Sequence, residues 1–448
     1  MLSSVRNRLA PSVVAVLAAV LLCCRATTAV SYTPADQQPT RFMHIDLNGA
    51  AAGGADAYAD NAVPYRGVCL GGWFVLEPWI VPSLFNPHIN GTFNNHSVWD
   101  EYSLVNYIGM KDATPMMLEH WDTWITEADI AEVAQAGITD VRLPVGYWML
   151  NPLPNETWVP GETYFFDRFL GWARKYNIRV LLDLHGAPGS QNGQDHSGHR
   201  GPLDWDTDLT VQTLKMFILY IRDHGFTDVI HAIELVNEPW WSVDPKIVQD
   251  FYVNAYSAIR QSSPSFTNTL NIVFHDNFNM NAWGGIMEPP AYTNLFQDSH
   301  QYHCFDNSLL AMDYAGHLNY TCNNTRPAIV TANKYHPTFM GEWSLATTDC
   351  PQWANGFLNG NRWEGTLSPG DPVFGKCTGN FGTDVTQFTP DYRAFLRQFT
   401  EMQMDAYEAA SGWYFWTLKT ESAPQWDFLM GLREGWIPNP VTKREYHC

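Results

Sequence analysis

Eight short runs rich in apolar and β-branched residues recur along the chain, and patterns with helical spacing separate most of them. The runs are Arg66–Leu70, Thr139–Leu143, Ile178–Leu184, Val229–Val236, Leu270–His275, Leu295–Ser299, Thr338–Gly341 and Gly412–Leu418. Ile178–Leu184 is nearly all apolar, as a strand covered on both faces must be. Helices are expected at Tyr164–Tyr176, Thr210–Asp223, Pro245–Gln261 and Asp391–Ala410. A further helix opens with the capping box Thr126-Glu127-Ala128-Asp129 and closes at Gly137. Strands alternating with helices build parallel βαβ units. Eight such units predict an α/β fold, a closed (β/α)8 TIM barrel whose functional residues gather at the C-terminal strand ends. An open doubly wound sheet is the alternative, but no GxGxxG follows the first run.

The N-terminus has the pattern of a secretory signal. Arg6 and Arg8 precede the apolar stretch Ala10–Cys24, and Ala26-Thr27-Thr28-Ala29 offers a cleavage site. The apolar stretch is too short to span a bilayer well, and no second one follows, so no membrane anchor is expected. The organisation expected is therefore a signal peptide at 1–29, a flexible lead-in at 30–62 and a single catalytic domain at 63–448. Export also fits the six cysteines left after cleavage: Cys69, Cys304, Cys322, Cys350, Cys377 and Cys448. Their spacing does not define a pairing. Five glycosylation sequons agree, at Asn90, Asn95, Asn155, Asn319 and Asn323.

The net charge of −20 becomes three units more negative once Arg6, Arg8 and Arg25 leave. Such a field argues against nucleic acid and anionic lipid as partners and suits a neutral, polyhydroxylated one. Aromatic residues make up 14% of the chain, with 19 tryptophans, enough to supply stacking platforms besides the core. Polar residues cluster where the runs end: Arg142, Asp183 and His185, Asn237 and Glu238, His300 and Tyr302, Glu342, with Trp416 in the last run. Taken singly, an Arg there is often a structural ion pair, a His a scaffold residue, and a Glu before Pro a helix cap. Six strand ends with such groups at one rim are harder to obtain by chance. Two of them carry a glutamate, in Asn237-Glu238-Pro239 and Gly341-Glu342-Trp343. A carboxylic acid and a carboxylate at one rim is the pair that glycosidic cleavage with retained configuration needs. Asp195, His196 and His199 mimic a ligand set in a Gly-rich loop, but without a CxxC pair no metal and no cofactor is expected.

The ordered set of motifs resembles glycoside hydrolase family five, most closely its fungal-type exo-β-1,3-glucanases, from about Tyr65 to Cys448. The motifs are Arg66-Gly-Val-Cys-Leu-Gly-Gly-Trp73, Val141-Arg-Leu-Pro144, Asp183-Leu-His-Gly-Ala-Pro-Gly-Ser-Gln-Asn192, Asn237-Glu-Pro239, Gly341-Glu-Trp343 and Gly412-Trp-Tyr-Phe-Trp-Thr-Leu-Lys-Thr-Glu421. The resemblance implies Glu238 as acid/base and Glu342 as nucleophile, with Arg142 keeping Glu342 ionised. It implies that Asn237 holds the sugar 2-OH, that His185, His300 and Tyr302 line the reacting subsite, and that Trp416 lies beneath it. Glu77 would grip hydroxyls on the non-reducing side, and Phe305 one face of the acceptor sugar. The charge of Glu342 would push the carboxyl of Glu238 up. Implied disulfides are Cys322–Cys448 and Cys350–Cys377.

The implied partner is a β-glucan polysaccharide or oligosaccharide, cleaved outside the cell or in its wall by a monomer. A β-1,6-glucanase, a broader β-glucosidase, a glucan transglycosylase and a non-catalytic glucan-binding wall protein are the alternatives. The chain departs from the family at Gln194, where an aromatic residue is common, and at Cys69, which replaces an Asn. Cys69 and Cys304 are either a further disulfide or two buried thiols. The segments Val81–His120 and Ala346–Thr389 are expected to decide between a pocket and a cleft.

Overall fold

A computed structural model describes residues 63–448; the expected signal peptide and lead-in lie outside the described residues. Eight parallel strands close into a barrel: β1 (Tyr65–Cys69), β2 (Asp140–Gly146), β3 (Arg179–Gly186), β4 (Ile230–Glu234), β5 (Asn271–His275), β6 (Leu295–Gln301), β7 (Thr338–Trp343) and β8 (Gly412–Phe415). Each strand pairs with its successor, and β8 returns to β1 with Gly67 opposite Tyr414. β3 is buried at every position but Arg179, as its unbroken apolar run requires.

Helices fill the crossovers and cover the barrel. The main ones are α1 (Glu101–Ile108), α2 (Met110–Thr123), α3 (Glu127–Gln135), α4 (Glu162–Lys175), α5 (Thr207–Asp223), α6 (Pro245–Ser262), α7 (Arg326–Ala332) and α8 (Pro390–Glu408). α4 buries Phe165, Phe166, Phe169, Leu170 and Ala173, the one-sided stripe that 3.6-residue periodicity produces. Each phenylalanine so buried contributes about 1.5–3 kcal/mol. The capping box at α3 forms as expected: Thr126 Oγ1 accepts from the Asp129 N–H, and Asp129 accepts from the Thr126 N–H at 2.9 Å. Gly137 follows with φ +89°, the left-handed conformation that ends a helix cheaply only at glycine.

Strand ends differ from the expected ones in a way that matters for the rim. β2, β6 and β7 run on to Gly146, Gln301 and Trp343, whereas β4 stops at Glu234 and β8 at Phe415. Glu238 sits at φ +43°, which no strand can accommodate. Asn237 and Glu238 are nevertheless tied to the barrel, because the Asn237 N–H bonds to the Leu184 carbonyl at 3.0 Å.

Two long excursions rise over this rim. The first holds a hairpin, Thr92–Phe93 with His96–Ser97, which turns through Asn94 and Asn95 at φ 49° and 65°. Asparagines suit such a turn because they tolerate positive φ. The second, between β7 and α8, contains no long regular element and is closed by the Cys350–Cys377 disulfide. Its hub is buried Asp349, which accepts the backbone N–H groups of Arg362 and Trp363 at 2.8 and 3.0 Å. The excursions meet where Asn86 bonds to Gln352 at 3.2 Å and to the Trp353 indole at 3.1 Å. Cys322–Cys448 is the second disulfide. Cys69 and Cys304 are unpaired and both buried, which resolves the alternative left open by spacing. All five sequon asparagines are exposed. Among the described residues no helix is long and apolar enough to cross a membrane.

Candidate active site

Arg142, fully buried on β2, is the centre of the rim. Its Nε donates to Glu234 at 2.9 Å, Nη1 to Glu342 at 2.8 Å and Nη2 to Asn237 Oδ1 at 2.8 Å. Asp183 lies 3.1 Å from Nη2 and Asp298 lies 3.7 Å from Nε. The planar fork of a guanidinium can satisfy several directions at once; an ammonium cannot. Burial opposes the charge on Arg142, but the surrounding carboxylates hold its pKa well above the ordinary arginine range. Burial also pushes Glu234 well above the carboxylate range, although Arg142 pulls the other way.

Glu342 ends β7 with its two oxygens held separately. Oε1 takes the Arg142 bond, and Oε2 accepts from the Tyr302 hydroxyl at 2.6 Å. The glycine before it is required by packing. A Cβ at Gly341 would lie 2.1 Å from the Asp298 carboxylate, which instead accepts the Gly341 N–H at 2.8 Å. The hydroxyl of Tyr302 is pushed well above the usual phenol range, first by burial and then by the charge of Glu342.

Glu238 is paired with His300. His300 Nδ1 lies 2.6 Å from Glu238 Oε1 and 3.5 Å from Glu342 Oε2, while Nε2 faces Asp298 at 3.4 Å. Burial disfavours the charged imidazole, but Glu342, Asp298 and Glu238 together push His300 well above the ordinary histidine range. Burial alone would raise the carboxyl of Glu238; the hydrogen bond and charge of His300 outweigh it and hold Glu238 below the usual carboxylate range. This corrects the expectation that Glu342 pushes the Glu238 carboxyl up: His300 Nδ1 lies closer to Glu238 and pulls it down. The second oxygen of Glu238 faces His196 at 3.9 Å.

The remaining predicted residues surround this core. His185 Nδ1 bonds to Asp183 at 2.7 Å, which leaves its Nε2 to face the Asn237 amide at 3.5 Å. Arg142 can only donate, so Asn237 turns its oxygen to Arg142 and its NH2 towards His185. Trp416 lies nearly parallel to His185, 5.4 Å between centroids. Glu77 is buried and accepts from the Trp79 indole at 2.8 Å; burial raises its pKa well above normal. Phe305 is half exposed and sits edge-on to Tyr302 at 5.7 Å, and the side chain of Gln194 turns back onto the Asn192 carbonyl.

Sequence reasoning did not assign Glu234, Asp298, His275 or His196 to the site. The first two stand inside runs read as strands, and for Glu234 its acidity within an apolar run was the signal. His275 is fully buried with its ring 4.6 Å from that of His300. Its Nδ1 accepts the Asn277 N–H at 3.1 Å, and burial followed by the charge of His300 lowers its pKa well below normal. Two triads, Glu238–His275–His300 and Glu234–Asp298–His300, bring potential ligand atoms within 4.8 Å of one another. A cation there would meet the charges of Arg142 and His300, which already pair with Glu234 Oε2 and Glu238 Oε1.

The family profile described as cellulase (glycosyl hydrolase family 5) matches residues 105–356. A glucan 1,3-beta-glucosidase of Blumeria graminis is 41% identical over 87% of this chain and 90% of its own length. One of Candida oleophila is 38% identical over 85% of this chain and 90% of its own. The barrel is also similar to the crystal structure of a rutinosidase from Aspergillus niger, with a TM-score of 0.63 at 21% identity, covering 83% of this chain and 97% of that one. Profile and relatives agree with the strand-end constellation: the chain is a glycoside hydrolase and belongs to glycosyl hydrolase family 5.

Proposed function

We propose that the protein is a secreted, retaining exo-β-1,3-glucanase that releases glucose from the non-reducing ends of β-1,3-glucan. Glu342 is the nucleophile and Glu238 the acid/base. The observation that carries the reading is the shared His300 Nδ1, at 2.6 Å from Glu238 and 3.5 Å from Glu342. That geometry limits the two oxygens to about 6 Å apart, short of the roughly 6.5–9.5 Å with which inverting enzymes seat a water.

In the first step Glu342 attacks the anomeric carbon, and the departing oxygen takes a proton from Glu238. The proton comes from the pair: His300 Nδ1 and Glu238 Oε1 share it along their short bond, and it must sit on Glu238 when the bond breaks. Arg142 and Tyr302 hold Glu342 oriented until the ester forms. The Asn237 NH2, fixed by Arg142, is the donor for the sugar 2-OH. In the second step Glu238 takes a proton from water, the water oxygen bonds to the anomeric carbon, and Glu342 leaves as a carboxylate. Configuration is inverted twice and so retained.

Exo action is supported by the joined excursions. The chain just beyond Glu77, the residue that the resemblance puts on the non-reducing side, is bonded through Asn86 to Gln352 and Trp353, which supports a closed end there. Activity on β-1,3-glucan is supported by the two relatives named for it. Export is supported by the signal pattern, the two disulfides and five exposed sequons. The test is an early-time laminarin digest followed by proton NMR, with Glu342→Gln beside it. β-Glucose as the first product, and none from Glu342→Gln despite retained sugar binding, is the expected result. α-Glucose first would overturn retention, mixed oligosaccharides would overturn exo action, and hydrolysis by Glu342→Gln would overturn the nucleophile.

A further inference from the structure

We propose that Trp240 and Trp241 form a stacking surface for the departing end of the glucan chain, an inference that rests on the function proposed above. Trp241 is 67% exposed, three residues beyond Glu238. Phe278, 46% exposed, stands three residues beyond His275. The Trp240 ring joins them, 6.0 Å from Trp241 and 6.3 Å from Phe278. Three aromatic rings thus form one cluster on the loops after β4 and β5, with Trp240 in the middle and the outer two exposed. Clustered apolar surface beside a polar cleft marks a binding site more often than scattered single residues do.

The backbone under these rings is held in place. The Trp240 N–H bonds to the Gln191 carbonyl at 3.0 Å, and its own carbonyl accepts the Val243 N–H at 2.9 Å. Phe278 has φ +60°, after Asn277 at +52°, and its N–H is fixed on Asp276 Oδ1 at 2.7 Å. Such a conformation is unfavourable for a bulky residue and persists only where the surroundings impose it.

Direction follows from the chemistry. The acid protonates the oxygen that leaves, so the departing sugars lie on the Glu238 side of the site, and the loop that carries Trp240 and Trp241 continues directly from Glu238. A β-glucosyl unit has equatorial hydroxyls and axial C–H bonds on both faces, so either face can lie flat on an indole. Each added sugar that reaches the surface gains a stack, and short substrates gain none.

The experiment compares kcat/KM for laminaribiose and laminarihexaose in wild type, Trp241→Ala and Trp241→Phe. Trp241→Ala is expected to lose roughly three- to tenfold on the hexaose, through KM rather than kcat, and to change less than about twofold on the biose. Trp241→Phe is expected to recover most of the loss. Equal changes on both substrates, or an unchanged hexaose value, would overturn the surface while leaving the proposed function standing. A wild-type enzyme that cleaves neither oligosaccharide would overturn the glucan reading, and the surface with it.

Discussion

Replacing Arg142 with methionine tests whether the site is held together by one buried cation. Methionine keeps much of the apolar volume and removes the charge. Glu234, Asp183, Asp298 and Glu342 then face one another inside the barrel, within a cage they now share with Arg142 at 2.8 to 3.7 Å. Removing one partner of a buried ion network costs about 3–5 kcal/mol. The loss should depend on pH, because an orphaned carboxylate besides Glu234, which burial already raises with Arg142 in place, takes up a proton. Its folded-state pKa rises above the unfolded one, so the folded variant binds more protons than the unfolded chain, and stability falls as pH rises. One extra proton held from pH 5 to pH 8 amounts to about 4 kcal/mol. The assay is the urea-unfolding midpoint of both proteins at pH 5 and pH 8. The variant is expected to lie close to wild type at pH 5 and far below it at pH 8. A variant that tracks wild type at both pH values would refute the account, since the carboxylates would then need no cation.

Two other outcomes follow from the same geometry. In His300→Phe the proton that His300 and Glu238 share has only the carboxyl to reside on; the alkaline limb of kcat/KM is expected to move down by about one unit or more, measured on an aryl β-glucoside. An unmoved limb would mean that His300 does not supply the acid's proton. Burial pushes the thiols of Cys69 and Cys304 well above normal, so a chain starting at residue 30 should not react with Ellman's reagent at pH 8 while folded. In urea without reductant it should release two equivalents, because the other four cysteines are paired.

Much of this fold was readable because a parallel barrel strand must be apolar along its length and can turn polar only at its end. Ile178–Leu184 therefore announced β3, and Asp183 and His185 announced the rim. The same rule concealed Glu234 and Asp298. Glu234 lies inside an apolar run and Asp298 in a short one that is already polar from Gln297, and only barrel closure brings Arg142 from β2 between them. Which strand faces which across the barrel is set by tilt and stagger, not by any local pattern. The Glu238 carboxyl was misjudged for a related reason: its expected neighbour was the other glutamate, but β6 extends two residues beyond its expected end and inserts His300 between them. The long excursion after β7 was opaque because it has no periodicity; its shape depends on buried Asp349, a disulfide and contact with Asn86 of the excursion after β1. The glutamates themselves stood out because chemistry requires them there. The groups that tune them did not, because any residue whose tip reaches the right point in space could serve, and the sequence carries no coordinate for that point.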